Sequence, residues 1–575
     1  MNFPLLPTTL NDTIVTDWQA FAPYFAALQT AEITPTDIDE WLLYWSDLRR
    51  LVGEALATLS IQKTIDTTDV AKEQAYLDFI ENVLPQVMVA DQVLKQRLLA
   101  LALEDRDDLA LILRAMRNEA DLFRDENVPL QTRLAKLDND YDKVTGGLKT
   151  DWNGEPHNLS QLGQYQMDKD RQVRERAWNM TMDLWLSQRE MLNKLYADML
   201  ELRQQVAENA DLPDYRAYVF REYGRFDYTP DDCLIFHQAI ETAVVPAALR
   251  IYEKKRTRLG LSQLRPWDIL VDTNDQPSLK PYQGQDQLIQ GALNILNQVD
   301  VALGRYFAVM AEENLLDLQT RPGKALGGYC ATLPKQKRPF IFMNGVGLHD
   351  DVQTLLHEAG HAFHVFETAN IPLIWQTDAP MEFCEVASMS MELLAAPYLT
   401  HDFGGFYTPV EAARARIEHL EGIITFLPYM AVVDAFQHWV YTHPREAASS
   451  DNCDNAWNNL WVRFMPGVDW TGYENVQMSG WHRKLHIFGV PFYYVEYGMA
   501  QVGALQVWRN ARQDQAQAVA AYRQALALGS TKTLPELFAA AGAEFRFDTA
   551  MLTDLVNLIE TTVEELETVA GITAA

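Results

Sequence analysis

The stretch Asp351-Val352-Gln353-Thr354-Leu355-Leu356-His357-Glu358-Ala359-Gly360-His361 constrains the chain more than any other. His357 and His361 are four residues apart. An α-helix puts residues at that spacing on one face, one turn above the other. Two neutral imidazoles so placed can bind one zinc ion. Glu358, beside the first of them, can reach a water at such an ion. A catalytic zinc also needs a third protein ligand and one open position. His364 does not supply that ligand. On a continuous helix it lies roughly 10 Å of axial rise from His357, too far for three side chains to converge on one ion.

The third ligand is sought on a second helix, which Asp378-Ala379-Pro380-Met381-Glu382 opens with a cap and an early proline. Glu382, Glu385, Met389 and Glu392 fall largely on one of its faces. The surrounding run, Val386-Ala387-Ser388-Met389-Ser390-Met391, is apolar enough that burying carboxylates there is costly unless they meet a cation or a donor. Chemistry permits Glu382 or Glu385 as the ligand, and spacing alone does not choose.

Two further segments suit peptide chemistry. Residues 325–333 and 338–344 read as short strands just before the histidine helix. The strand near 338–344 is expected to lay an extended peptide across the metal by edge pairing, and a purely structural hairpin reads equally well. Far downstream, His486 and Gly489 sit in a turn before a helix on which Tyr494 and Tyr497 are three apart. Tyrosine O–H and histidine N–H groups aimed at a developing oxyanion stabilise it. An aromatic core helix is the plain alternative.

The rest of the chain is helix after helix. Thr36 precedes an acidic first turn, and Trp41, Leu42, Trp45, Leu48, Leu51 and Val52 recur at the helical period. Helices are expected near 68–104, 106–120, 128–141, 168–208, after Thr229, and 285–313. The segment 261–283, with Pro266, Pro277 and Pro281, reads as irregular. Asn153-Gly154 between two short extended runs signals a hairpin near 148–159, whose His157 reads as surface. We expect an N-terminal helical region over 1–190 and a catalytic region over 191–575.

Composition narrows the partners. The chain has 575 residues, and 48 basic against 79 acidic side chains give a net charge of −31. That excess disfavours nucleic acid or an anionic membrane surface. Cys233, Cys330, Cys384 and Cys453 are scattered, so a disulfide framework is not expected and a reducing, cytoplasmic setting fits. The first residues, Met1 to Pro7, lack the pattern of a signal peptide. The most apolar window, Ile423 to Val433, is short and interrupted by Pro428, and is not read as a membrane span.

Four motifs in fixed order resemble the oligoendopeptidase F and thimet oligopeptidase family of zinc metallopeptidases, the bacterial Pz-peptidase type most of all. They are Gly327-Gly328-Tyr329-Cys330 followed by Pro339-Phe340-Ile341-Phe342; His357-Glu358-Ala359-Gly360-His361 with His364; Glu385-Val386-Ala387-Ser388; and Pro491-Phe492-Tyr493-Tyr494-Val495-Glu496-Tyr497. The resemblance implies a mainly α, two-lobed helical body enclosing a deep narrow substrate channel, with a small β element beside the zinc helix. It implies Zn2+ on His357, His361 and Glu385, leaving Glu382 in an outer position. It implies Glu358 as general base, and Tyr497, His486 and Tyr494 as donors to substrate and transition state. The loop after His486 looks one residue shorter than in thimet-like members, which keeps His482 as an alternative to His486. The function so implied is endopeptidase cleavage of short unfolded peptides. A carboxypeptidase or dipeptidyl-type exopeptidase is the runner-up, and a non-catalytic peptide binder with a structural zinc a remote third.

Overall fold

A computed structural model describes residues 3–7, 17–273 and 278–572. Met1, Asn2 and Pro277, which the sequence reading used, lie outside the described residues. Among the described residues helices dominate, with one two-stranded and one three-stranded sheet. The chain forms two compact units: Met1–Arg117, Leu279–Ala415 and Gly503–Phe545 make the first, and Asn118–Ser278, Arg416–Val502 and Arg546–Ala575 the second.

The first unit is built on the amphipathic helix Ile38–Ile65. Trp41 and Trp45 are fully buried with Phe21, Phe25, Leu28 and Phe79. Each indole finds an acceptor, Trp41 the Leu28 carbonyl at 3.0 Å and Trp45 the Asp91 carboxylate at 2.7 Å, as buried tryptophans need. The same helix reaches distant sequence. The Arg50 guanidinium donates to the Ile371 carbonyl at 3.0 Å, and Glu54 accepts the Lys335 N–H at 2.9 Å.

The three-stranded sheet lies in this unit, with strands β3 (Leu316–Gln319), β4 (Tyr329–Leu333) and β5 (Arg338–Gly345) in the order β3-β5-β4. β5 pairs antiparallel with β4, Cys330 opposite Ile341, and parallel with β3, Leu316 opposite Ile341. This corrects the expectation for 338–344. β5 is the central strand with both edges paired, so it has no edge to offer a peptide, and the outer edges belong to β3 and β4. The missed strand, β3, is four residues long, too short for alternation to announce it.

In the second unit, β1 (Lys149–Trp152) and β2 (Glu155–Asn158) form the expected hairpin, with Asn153 and Gly154 at φ 56° and 91°, the left-handed pair a two-residue turn requires. The expected 168–208 helix divides into Arg171–Ser187 and Arg189–Asn209 at Gln188. In the first unit 285–313 divides similarly, into Gln285–Val299 and Val301–Glu312, where extended Asp300 caps the second with its carboxylate. Two π-helical turns, Phe79–Val83 and Ile240–Val244, each precede a proline, Pro85 and Pro246; the wider turn accommodates the missing N–H.

Pro428 does not break its segment. Pro409–Thr442 is one helix of 34 residues with Pro428 inside. It and Pro230–Arg258 are long and apolar enough to cross a membrane, with windows 61% and 44% buried. Pro409–Thr442 buries Asp434, Gln437 and His438 among its apolar residues, which is how a core helix reads.

Candidate active site

The histidine helix runs His349–Glu367 and is fastened at its start. Asp351 Oδ2 accepts the N–H groups of Val346, Gly347 and Leu348 at 2.8–2.9 Å and the Tyr282 hydroxyl at 2.7 Å. Gly345 ends β5 here, and a Cβ on it would come within 2.5 Å of Tyr282 Oη. One carboxylate therefore satisfies the orphan donors leading into the helix and fixes it to the sheet.

The second helix, Met381–Ala395, crosses it at Gly360. A Cβ on Gly360 would lie 2.5 Å from Ser388 Cα and 2.6 Å from the Ala387 carbonyl oxygen. The glycine inside the histidine motif thus lets the two backbones meet. Ala387 is held from behind, its carbonyl accepting the Tyr522 hydroxyl at 2.9 Å.

At this crossing His357, His361 and Glu385 come together, with their ligand atoms all within 4.8 Å of one another. His357 Nε2 lies 3.4 Å and His361 Nε2 3.9 Å from Glu385 Oε2. Ser388 Oγ donates to the same oxygen at 3.2 Å. Of the two carboxylates that spacing left open, Glu385 joins the histidines; Glu382, a turn earlier and buried, is outside that group. His364 is outside it too, and burial lowers its pKa to about 4.

One residue given no role by the sequence reading completes the arrangement. Glu392 Oε1 lies 2.7 Å from His357 Nδ1, which leaves Nε2 facing Glu385. A carboxylate behind a ligand histidine fixes its tautomer and raises its basicity. The signal was legible, because Glu392 is seven residues, two turns, after Glu385 on the same face.

The charges test whether these residues suit a cation. Glu358 is 8% exposed. Burial pushes its pKa up to about 7, against the pull of His357 and with Glu385 and Glu392 adding. Burial opposes a charge on His357, yet its bonds to Glu385 and Glu392 outweigh that and raise it to about 10. Burial also lowers His361, to about 4. Three carboxylates, Glu358, Glu385 and Glu392, thus set a negative field around two imidazoles. Two imidazoles and a carboxylate, one histidine backed by a second carboxylate, fit a divalent cation of the zinc class.

The late motif forms its own cluster, in the second unit. His486 lies on the short helix Leu485–Gly489, and Tyr494–Ala511 begins at the tyrosines. The His486 ring is 4.8 Å from that of Tyr494 and 6.1 Å from that of Tyr497, and the two tyrosine rings are 5.7 Å apart. Phe492 between them is at φ 66°, strained for a bulky residue. Its N–H donates to Gln437 Oε1 at 2.8 Å and its carbonyl accepts from Arg225 at 2.6 Å. Arg225 also pairs with Glu496 at 2.6 Å, both fully buried. These bonds hold the turn that brings His486 beside the tyrosines. His482 is engaged elsewhere, its Nε2 2.7 Å from Asn193 Oδ1 and its ring against Trp481.

A mainly helical chain with a small sheet beside a possible His–Glu metal site is the class this fold and site define. The pattern described as peptidase family M3 matches residues 164–556, and the chain belongs to that family. It is 21% identical over 498 residues to an oligoendopeptidase F homolog of Mycoplasma pneumoniae, covering 80% of this chain and 77% of that one. Pz peptidase A, solved with an inhibitor, superposes with a TM-score of 0.83 at 26% identity, over 98% of both chains. The oligoendopeptidase-F of Enterococcus faecium shares the fold, with a TM-score of 0.62 at 14% identity over 97% of this chain and 98% of that one. The resemblance carried by the four motifs is therefore borne out, and the chain is a peptidase.

Proposed function

We propose that this protein is a zinc-dependent endopeptidase acting on short, unfolded peptides. The observation that carries the reading is the meeting of His357, His361 and Glu385 in the same site as a buried Glu358. His357, His361 and Glu385 would hold the zinc. Zinc so held would supply Lewis acidity, polarising a carbonyl and making water more acidic.

The chain's own groups do the remaining work. Glu358 accepts a proton from the attacking water and returns it to the departing amine, a role for which a pKa near neutrality is suited. Glu392 keeps the His357 ring in the tautomer that presents Nε2. Tyr497, with His486 and Tyr494, donates hydrogen bonds to the oxyanion; their clustering on one pinned turn supports this, together with the family pattern. Of the two outer edges of the sheet, that of β4, which carries Tyr329 and Cys330 of the family pattern, is the one assigned to an extended peptide. Short peptides as partners, rather than nucleic acid or membrane, and a cytoplasmic setting belong to the same reading. The acidic balance and four free cysteines support it.

The experiment is a peptide set of graded length, each peptide prepared with both ends blocked and with either end left free, digested and mapped by mass spectrometry. Internal cleavage that fades as the peptides lengthen into folded proteins is expected. Cleavage confined to one unblocked end would replace the endopeptidase with an exopeptidase.

A further inference from the structure

A second group of ligand-type side chains lies within the second unit, in its own core. Cys233 and His237 are one turn apart on Pro230–Ala239, and Asp434 and His438 one turn apart on Pro409–Thr442. Cys233 and Asp434 are completely buried, and His237 and His438 are 3% and 4% exposed. Ligand atoms of Cys233, Asp434 and His438 all lie within 4.8 Å of one another.

The bonding around Asp434 is one-sided. His237 Nε2 lies 2.8 Å from Oδ2, and His438 Nε2 approaches the same oxygen at 3.2 Å without hydrogen-bond geometry. Among the described residues Oδ1 has no hydrogen-bond partner. Burial works against ionisation, but His438 and His237 outweigh it and hold Asp434 well below the usual carboxylate range. A completely buried carboxylate with one bare oxygen is costly unless a cation or donor meets it. The Cys233 thiol, an imidazole nitrogen of His438 and a carboxylate oxygen of Asp434 lie together there.

We propose that Cys233, Asp434 and His438 form a second metal site, separate from the histidine-helix site and selective for a thiophilic divalent ion of the zinc class. Thiolate with imidazole and carboxylate is a donor set for zinc rather than for calcium or magnesium. His237 orients the carboxylate from behind through Oδ2, leaving Oδ1 for the ion. Binding releases the Cys233 thiol proton. His438 would present Nε2 to the ion, while its Nδ1 faces the Arg216 guanidinium at 3.3 Å, which also lies 3.9 Å from Asp214. The role is structural. The ion ties Pro230–Ala239 to Pro409–Thr442 inside the core, and its binding energy becomes folding energy.

The test is metal stoichiometry on the full chain, freed of metal, reloaded with zinc and passed over a chelating resin. About two zinc ions per chain are expected in the wild type, falling to about one in Cys233→Ser and, independently, to about one in His361→Ala. Cobalt(II) loading of His361→Ala then shows the near-ultraviolet absorption of a cobalt–thiolate bond, and Cys233→Ser does not. A wild type that holds about one zinc, all of it lost in His361→Ala and with no thiolate absorption, would overturn the second site. The wild-type stoichiometry decides even where Cys233→Ser fails to fold. Because each site has its own variant, failure of one reading leaves the other measurable.

Discussion

Gly360 and Ser388 touch backbone to backbone: a Cβ on Gly360 would stand 2.5 Å from Ser388 Cα. The obstruction is main chain rather than a flexible side chain, so Gly360→Ala must push the two ligand helices apart. Overpacking of this kind costs roughly 1–3 kcal/mol, and metal sites tolerate misplacement of only about 0.5 Å. Gly360→Ala should melt at a lower temperature and bind zinc at least about tenfold more weakly by competition with a chromophoric chelator. Wild-type affinity would show that the close crossing is not what assembles the site.

Glu392 holds His357 through Nδ1 at 2.7 Å. Carboxylates in this position typically contribute a factor of about 10–100 in metal affinity or activity. Glu392→Gln keeps the shape and can still bond the ring, so it should lose less than Glu392→Ala. An equal loss in both variants would point to packing instead.

The site was largely legible in the sequence because helical periodicity is a short-range rule. His357, His361, Glu358 and Glu385 follow from spacing, from the cost of burying acid and from the family pattern, and Glu392 could have followed from the same face count. What spacing cannot show is the meeting of two helices. The role of Gly360 depends on a backbone 28 residues away. The group Cys233–His237–Asp434–His438 joins two segments about 200 residues apart, beyond the reach of any short-range spacing. The strand order likewise rests on β3, which carries no pattern of its own. Pro428 was read as a break from local propensity, and tertiary packing of an apolar helix overrode it.

The proposed role of Tyr497 is to donate to the oxyanion, a contact that would strengthen only as charge develops. Tyr497→Phe should lower kcat by about 100- to 1,000-fold with KM little changed. A rise in KM alone would make it a substrate-binding residue.

Several buried histidines make the fold acid-sensitive. Burial lowers His482 to about 3 and His486 to about 4, the latter with help from the Lys484 charge. Their folded pKa values lie below the unfolded value near 6.5. Their contribution to stability is therefore complete above pH 6.5 and is lost as pH falls through the folded values. Between pH 6 and 4 the buried His482 removes roughly 1.4 kcal/mol per pH unit, and the partly exposed His486 less, because solvent screens it. Denaturant titrations at several pH values should show this slope. His482→Gln, which keeps a donor for Asn193, should show it reduced by about one proton. An unchanged slope would mean His482 is protonated in the folded state.

The most direct test of the central claim is Glu358→Gln, measured for zinc content and peptide turnover together. Glutamine preserves the shape of the side chain but cannot take a proton. The account predicts that the histidine-helix site keeps its zinc, shown as the share of bound zinc lost on further change to His361→Ala, while kcat falls by about 100- to 10,000-fold. Full turnover with zinc in place would contradict the assignment of Glu358 as the base.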